Sequence, residues 1–285
     1  MLQRSSIQLL RFHFSFFLLP VYLFAISQVP AIDVTKALLA FFILHLLVYP
    51  SSNGYNSYMD RDETPIGGLA APPQPTRQLL HFTIVMDLAA IILSLFISRW
   101  FAIGILLYIA ASRAYSFRGI RLKKYPVVGF LTVFLFQGAV IFFICYQGAG
   151  RYTVHDVPLL PCLIASFLIG ALYPLSQVYQ HQADQKDGIT TISILMGKRG
   201  TFVFSMIFFL SATFLLYLRF NEKGQLNLFI LYLFVMLPVV LFFLYWMMKV
   251  WRNEEEASFR NSLKMNVVAT LCTSAYFLTL IILNH

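Results

Sequence analysis

The sequence predicts an all-α integral membrane protein, a bundle of nine transmembrane helices with its N-terminus in the cytoplasm and its C-terminus outside. Two observations predict the class. Of 285 residues, 59% are hydrophobic and 12% charged, and the mean hydropathy is +0.74, far too apolar for a soluble domain that must cover its surface with charge. Apolar stretches near the roughly 20 residues needed to cross about 30 Å of hydrocarbon recur along nearly the whole chain, which points to helices rather than barrel strands.

The expected spans are Leu9 to Val29, Thr35 to Tyr55, Thr76 to Ile97, Trp100 to Tyr115, Pro126 to Tyr146, Val157 to Gln177, Gly200 to Leu218, Leu226 to Val250 and Leu263 to Leu283. No soluble domain fits between them, so residues 1–285 are expected to form a single transmembrane domain. The first stretch is as long as the others and is followed by Pro30 without a small-residue cleavage pattern, so it reads as a span and not as a signal peptide. Cys145, Cys162 and Cys272 fall inside expected spans without CxxC spacing, which suggests packing rather than a disulfide framework or a metal site.

Orientation follows from the basic residues. Lys36, Arg99, Arg151, Arg219 and Lys223 fall in one set of alternate loops, and the other sixteen of the 21 Lys and Arg fall in the opposite set. The positive-inside rule places that second set, with the N-terminus, in the cytoplasm, as expected for a multi-pass protein of a bacterial inner or plasma membrane. The net charge of +9 therefore sets orientation and meets anionic lipid headgroups, and it does not point to nucleic acid.

The acids sort with the same geometry. Asp60, Asp62 and Glu63 lie between spans two and three, and Asp184 and Asp187 lie between spans six and seven, both on the basic side. Asn56 and Asp60, four residues apart, share one helical face at the end of span two, and Gln180 and Asp184 repeat the spacing at the end of span six. Between the clusters lies Y115-S-F-R-G-I-R-L-K-K124. Two acidic clusters and a basic loop at one end of a helical bundle supply what a magnesium diphosphate site requires. Mg²⁺ takes hard oxygen ligands from one or two carboxylates together with substrate phosphates, and Lys or Arg neutralises the remaining charge.

N56-S-Y-M-D-R-D-E63 resembles the first aspartate-rich motif, N-D-x-x-D, of the UbiA superfamily of intramembrane prenyltransferases. Q180-H-Q-A-D-Q-K-D-G188, with the Thr- and Ser-containing segment after it, resembles the second, D-x-x-x-D, and the 115–124 loop resembles the Y-S-x-P-P-x-x-L-K loop of several branches. The resemblance implies Mg²⁺-dependent transfer of a polyprenyl group from its diphosphate to a lipid-soluble acceptor, expected to be aromatic as in quinone or pigment assembly. It implies catalytic roles for Asn56, Asp60 and Asp184, and a magnesium–diphosphate site drawing on Asn56, Asp60, Asp62, Glu63, Gln180, Asp184 and Asp187. Arg118, Arg121, Lys123, Lys124 and Lys186 would meet the diphosphate.

The sequence departs from the pattern at Gln180, which stands where the motif has an acid, at Thr64, and in G68-L-A-A-P-P-Q-P75, which lacks the family's arginine. Two alternatives stay open on the residues alone: a non-catalytic prenyl-lipid-binding relative, and a small-solute or ion transporter. Asp87, inside span three, is expected to find a partner on a neighbouring helix or to line a cavity. Arg113 is expected to snorkel to the interface.

Overall fold

The computed structural model describes residues 3–284. Among the described residues nine long helices, labelled in chain order, account for the architecture: α1 (Arg4–Ser27), α2 (Val34–Asp60), α3 (Arg77–Ser94), α4 (Arg99–Ser116), α5 (Pro126–Gly148), α6 (Leu159–Ser176), α7 (Ile192–Glu222), α8 (Leu226–Arg252) and α9 (Phe259–Asn284). Among the described residues the only β pairing is a bridge between Ile66 and Leu69. Eight of the helices are long and apolar enough to cross a membrane, which makes this a multi-pass membrane protein. The exception is α4, which has 18 residues and carries Arg99 and Arg113.

Sequence neighbours from α2 through α9 pack on one another, and α9 returns to α1, so the helices close into a ring. One large apolar core fills it, with Trp246, Tyr232, Tyr276 and Phe277 fully buried on the α7–α9 side. A smaller cluster of Leu9, Leu10, Ile66, Leu79 and Met86 seals the α1–α3 end.

Several helices are irregular, and each irregularity has a local cause. Helix α1 begins at Arg4 rather than Leu9 and breaks at Arg11, which adopts a left-handed backbone (φ 48°, ψ 51°). Helix α2 widens into a π turn over Ile43–Val48, just before Pro50, whose ring removes the N–H that would continue the α ladder. It then runs on to Asp60, past the expected end at Tyr55, and so carries Asn56 and Asp60 on its last turns, while Asp62 and Glu63 follow the left-handed cap at Arg61. A second π turn, Phe134–Val140 in α5, forms where the Ser166 hydroxyl of α6 accepts the Ala139 N–H at 2.9 Å. Gly138 permits that approach, because a Cβ there would lie 2.4 Å from the Ser166 Cα.

The connection after α6 differs most from expectation. Pro174 tightens the end of α6 into a 3₁₀ turn, and a separate six-residue helix, His181–Lys186, follows it. Gln180 and Asp184 therefore lie at the start of this short helix and not on the end of span six, although the Asp184 N–H still bonds the Gln180 carbonyl at 2.9 Å. Helix α7 starts at Ile192, eight residues before the expected Gly200, because the Thr191 hydroxyl caps it by accepting the Ile194 N–H. It kinks at Gly197, whose φ of 68° favours a residue without Cβ.

Candidate active site

The loops carrying the acids meet at one end of the ring. Arg118 of the α4–α5 loop donates to the Met59 carbonyl at 2.8 Å, Arg121 bonds the Asp187 carboxylate, and Lys198 donates to the Glu254 carbonyl at 3.1 Å. At the opposite end, the Tyr152 hydroxyl accepts the Ala31 N–H at 2.8 Å. The alternate-loop sorting read from the charges is thus a real division of the molecule into two ends.

Under the acidic end lies a cavity of about 260 Å³, and Asn56, Asp60, Asp62, Gln180, Asp184 and Lys123 line it. On the last turn of α2 the Asn56 amide nitrogen donates to Asp60 Oδ2 at 2.9 Å and to Ser116 Oγ at 3.0 Å. Lys123 bonds the same Asp60 carboxylate, and Arg121 approaches its other oxygen at 3.5 Å. At the start of the short helix the Gln180 amide nitrogen donates to the Pro65 carbonyl at 3.4 Å. Each amide thus spends its nitrogen on the protein and retains its carbonyl oxygen as an acceptor.

The acids are not equally balanced. Burial and the neighbouring Asp60 charge push the Asp62 carboxyl up to about 6. Burial pushes Asp184 up to about 7, with Asp60, Asp62 and Asp187 adding to the rise against the opposing pull of Lys123. Burial would also raise Asp187, but its bond from Arg121 and the nearby Arg118 charge outweigh that and hold it below the usual carboxylate range. Asp187 thus holds the basic loop down and does not line the cavity. Among the described residues no group of three or more His, Cys, Asp or Glu could hold a metal ion by itself.

Glu63, Lys124 and Lys186 are exposed, and Arg118 and Arg121 also stay off the cavity wall. The reasons are local. Lys186 lies two positions beyond Asp184, about 200° round the short helix. Lys124 follows Lys123 in a 3₁₀ turn that buries only Lys123. Arg118 and Arg121 are turned to Asp187. His181 points to Ser193 Oγ at 2.7 Å, away from the acids.

A sequence profile of the UbiA prenyltransferase family matches residues 14–268. The chain belongs to that family. Among solved structures, a UbiA homolog from Archaeoglobus fulgidus, bound to DMAPP and Mg²⁺, is 19% identical with a TM-score of 0.72, over 97% of this chain and 99% of that one. An apo UbiA homolog from Aeropyrum pernix K1 is 15% identical with a TM-score of 0.70, over 94% and 97% of the two chains. A digeranylgeranylglyceryl phosphate synthase is 19% identical with a TM-score of 0.61, over 98% and 97%. At these identities the likeness is one of fold. None of the curated proteins compared with the chain matches it.

Other residues of this UbiA-family cavity escaped the sequence reading. Arg11, counted there only as an orientation charge, is 5% exposed at the break in α1 and lines the cavity. It donates to the carbonyls of Asn53 at 3.2 Å and Gly67 at 3.3 Å. Its position inside an apolar run was the available signal. Arg113 does not snorkel. It bonds Asp87 at 2.9 Å and the Ser51 hydroxyl at 3.0 Å, and stacks 3.9 Å from the centre of the Tyr55 ring. Asp87 also accepts from Ser51. The pair clamps α2 one turn before Asn56.

Proposed function

We propose that this UbiA-family protein transfers a polyprenyl group from its diphosphate to a lipid-soluble aromatic acceptor, with Mg²⁺ as cofactor. The observation that carries the reading is the meeting of Asn56 and Asp60 with Gln180 and Asp184, more than a hundred residues away in sequence, around one cavity that Lys123 also lines. The donor set fits Mg²⁺. Two amide carbonyl oxygens and the carboxylates of Asp60, Asp62 and Asp184 are hard oxygen donors, and clusters too small to hold an ion unaided suit a cation shared with substrate phosphates. The Archaeoglobus homologs solved with Mg²⁺ and DMAPP or GPP support the same assignment.

When bound, Mg²⁺ would act as a Lewis acid that balances the charge gathering on the departing diphosphate. The chain's own residues do the rest. Asn56, Asp60, Gln180 and Asp184 hold and orient the cation–diphosphate unit, and the Lys123 ammonium donates to phosphate oxygens once drawn from Asp60. Arg121 and Arg118 fix the loop that carries Lys123. Rings on the cavity wall, such as Tyr115 and Phe136, present π faces to a developing allylic cation.

In this reading residues 1–285 are one catalytic domain and all nine helices span the membrane of a bacterial cell, inner or plasma. The N-terminus and the acidic end lie in the cytoplasm, and the C-terminus lies outside. The alternate-loop charge asymmetry supports the orientation. Purified protein in nanodiscs, given Mg²⁺, isoprenoid diphosphates of increasing length and a panel of phenolic acceptors, should release diphosphate and form prenylated product. Absence of both with every donor and acceptor would refute the transfer reading.

A further inference from the structure

The stretch of α2 that carries the first half of the acidic site is a poor helix by composition. After Pro50 it reads S51-S-N-G-Y-N-S57, in which every residue but Tyr55 is Ser, Asn or Gly, types that favour caps and turns over a helix interior. Yet the helix is continuous from Tyr49 to Asp60, and Asn56 and Asp60 share a face only while it is. Contacts with other helices must therefore hold it. Helix α3 comes close on one side: a Cβ on Gly54 would lie 3.0 Å from the Thr83 side chain and 3.1 Å from that of Leu79.

Two neighbouring faces of this stretch have different partners. Ser52, Asn56 and Asp60, spaced by four, line the cavity. Ser51 and Tyr55, also four apart, lie on the next face, about 100° round the helix, and do not line it. Arg113 of α4 takes hold of that second face. Its guanidinium donates to the Ser51 hydroxyl at 3.0 Å and stacks 3.9 Å from the centre of the Tyr55 ring, while its Nε donates to Asp87 of α3 at 2.9 Å. The Ser51 hydroxyl closes the triangle by donating to Asp87 Oδ1 at 2.6 Å. Three residues further along α4, the Ser116 hydroxyl accepts from Asn56 at 3.0 Å, so one face of α4 grips successive turns of α2.

The grip sets how α2 is turned about its axis. A side-chain group at the rim of a helix lies about 5–6 Å from the axis, so a rotation of about 20° would carry the Asp60 carboxylate roughly 2 Å, against a tolerance of about 0.5 Å in a preorganised site. A buried ion pair is a costly way to pack helices together. An arginine held at once by a carboxylate, a hydroxyl and a ring face nevertheless fixes a rotation that a sliding apolar contact leaves free.

Resting on the transfer reading, we infer that Arg113 is a positioning residue of the reaction. With Asp87 it fixes the rotation of the last turns of α2, and so the bearing of Asn56 and Asp60 on the cation–diphosphate unit, from behind the helix and without touching substrate. Neither Arg113 nor Asp87 lines the cavity.

The test replaces the pair as a unit, because removing one partner strands a buried charge. Asp87→Leu with Arg113→Met supplies apolar side chains in place of the pair, a change that commonly leaves a fold as stable or more so. In nanodiscs the double variant should unfold at or above the wild-type temperature, yet kcat for diphosphate release from geranylgeranyl diphosphate should fall about a hundredfold, the cost of a displacement of about 1 Å. Backbone amides of residues 51–60 should exchange at least about tenfold faster than in the wild type, as expected of a locally loosened helix, with α7 unchanged. Arg113→Lys, which keeps the charge without the three-way hold, should lie between. Combined with Asp184→Asn, the losses should multiply within about twofold, as for independent sites. Combined with Asn56→Ala, they should fall well short of the product, because the pair acts through Asn56 and Asp60. Wild-type kcat in the folded double variant, or full multiplication with Asn56→Ala, would overturn the inference while sparing the transfer reading. Should the double variant not fold, the same combinations made with Arg113→Lys decide between these outcomes. Faster exchange at residues 51–60 in a protein whose wild type releases no diphosphate would refute the transfer reading and leave the hold on α2 standing.

Discussion

The two halves of the acidic site are built to different standards of rigidity. Asn56 and Asp60 stand on the last turn of a long helix, where Ser116 and Lys123 hold their side chains and the Asp87–Arg113 pair anchors the turn before. Gln180 and Asp184 stand on a six-residue helix between two breaks, with a 3.4 Å bond from Gln180 to the Pro65 carbonyl and an Asp184 carboxyl raised to about 7. The first half is preorganised and already paired with a cation. The second has acidic oxygens in excess of positive charge and gains most when a cation arrives.

That contrast ranks the expected effects. Asp60→Asn should be the most damaging change, because it removes the carboxylate that organises Asn56, Lys123 and Arg121 together. A loss of about a thousandfold in kcat for diphosphate release is expected, the upper range for removing one preorganised electrostatic group. Asp184→Asn should cost nearer a hundredfold and should raise the Mg²⁺ concentration for half-maximal rate more than it lowers the saturated rate. If Asp184→Asn proves the more severe of the two, the assignment of the rigid half as the primary site is wrong.

The pH response follows from the second half. A carboxyl with a raised pKa holds its proton until the pH passes that value, and a hard cation must displace the proton to bind. With Asp62 near 6 and Asp184 near 7, Mg²⁺ affinity should fall as pH drops below about 7, by up to about tenfold per unit for each proton displaced, and should level off above it. A flat Mg²⁺ titration between pH 5 and 8 (roughly the window of both groups) would show that neither carboxyl takes part. In Gln180→Asp, an added carboxylate should tighten Mg²⁺ dependence by about tenfold, one charge-assisted contact. An unchanged metal response would remove Gln180 from the site. The smallest effect is expected for Lys124→Ala and Lys186→Ala, whose side chains face outward: less than about twofold in rate, typical of a solvated surface charge.

How much of this was legible beforehand depends on the range of the interactions involved. The helices follow from apolar length, and the Asn56/Asp60 pair follows from four-residue spacing on a continuous helix, so both are local properties of the sequence. The separate helix His181–Lys186 was not legible, because a spacing of four looks the same on span six as on a short helix restarted after Pro174. Sequence counted Lys123, Lys124 and Lys186 alike as basic. Only the 3₁₀ turn and the short helix decide that Lys123 faces inward and the others outward. Arg113 departs from expectation for a related reason: an arginine near a helix end snorkels unless a distant segment offers a partner, and here Asp87 does, much as Asn53 and Gly67 hold Arg11.

The central claim is that the two acidic segments form one cation-dependent diphosphate site. Binding of geranylgeranyl diphosphate to the protein in nanodiscs, with and without Mg²⁺, tests it most directly when wild type, Asp60→Asn and Asp184→Asn are compared. The account predicts that the wild type binds the donor only with Mg²⁺, that Asp60→Asn loses binding at any Mg²⁺ concentration, and that Asp184→Asn regains it as Mg²⁺ is raised. Equal donor binding in all three proteins, or binding that ignores Mg²⁺, would contradict it.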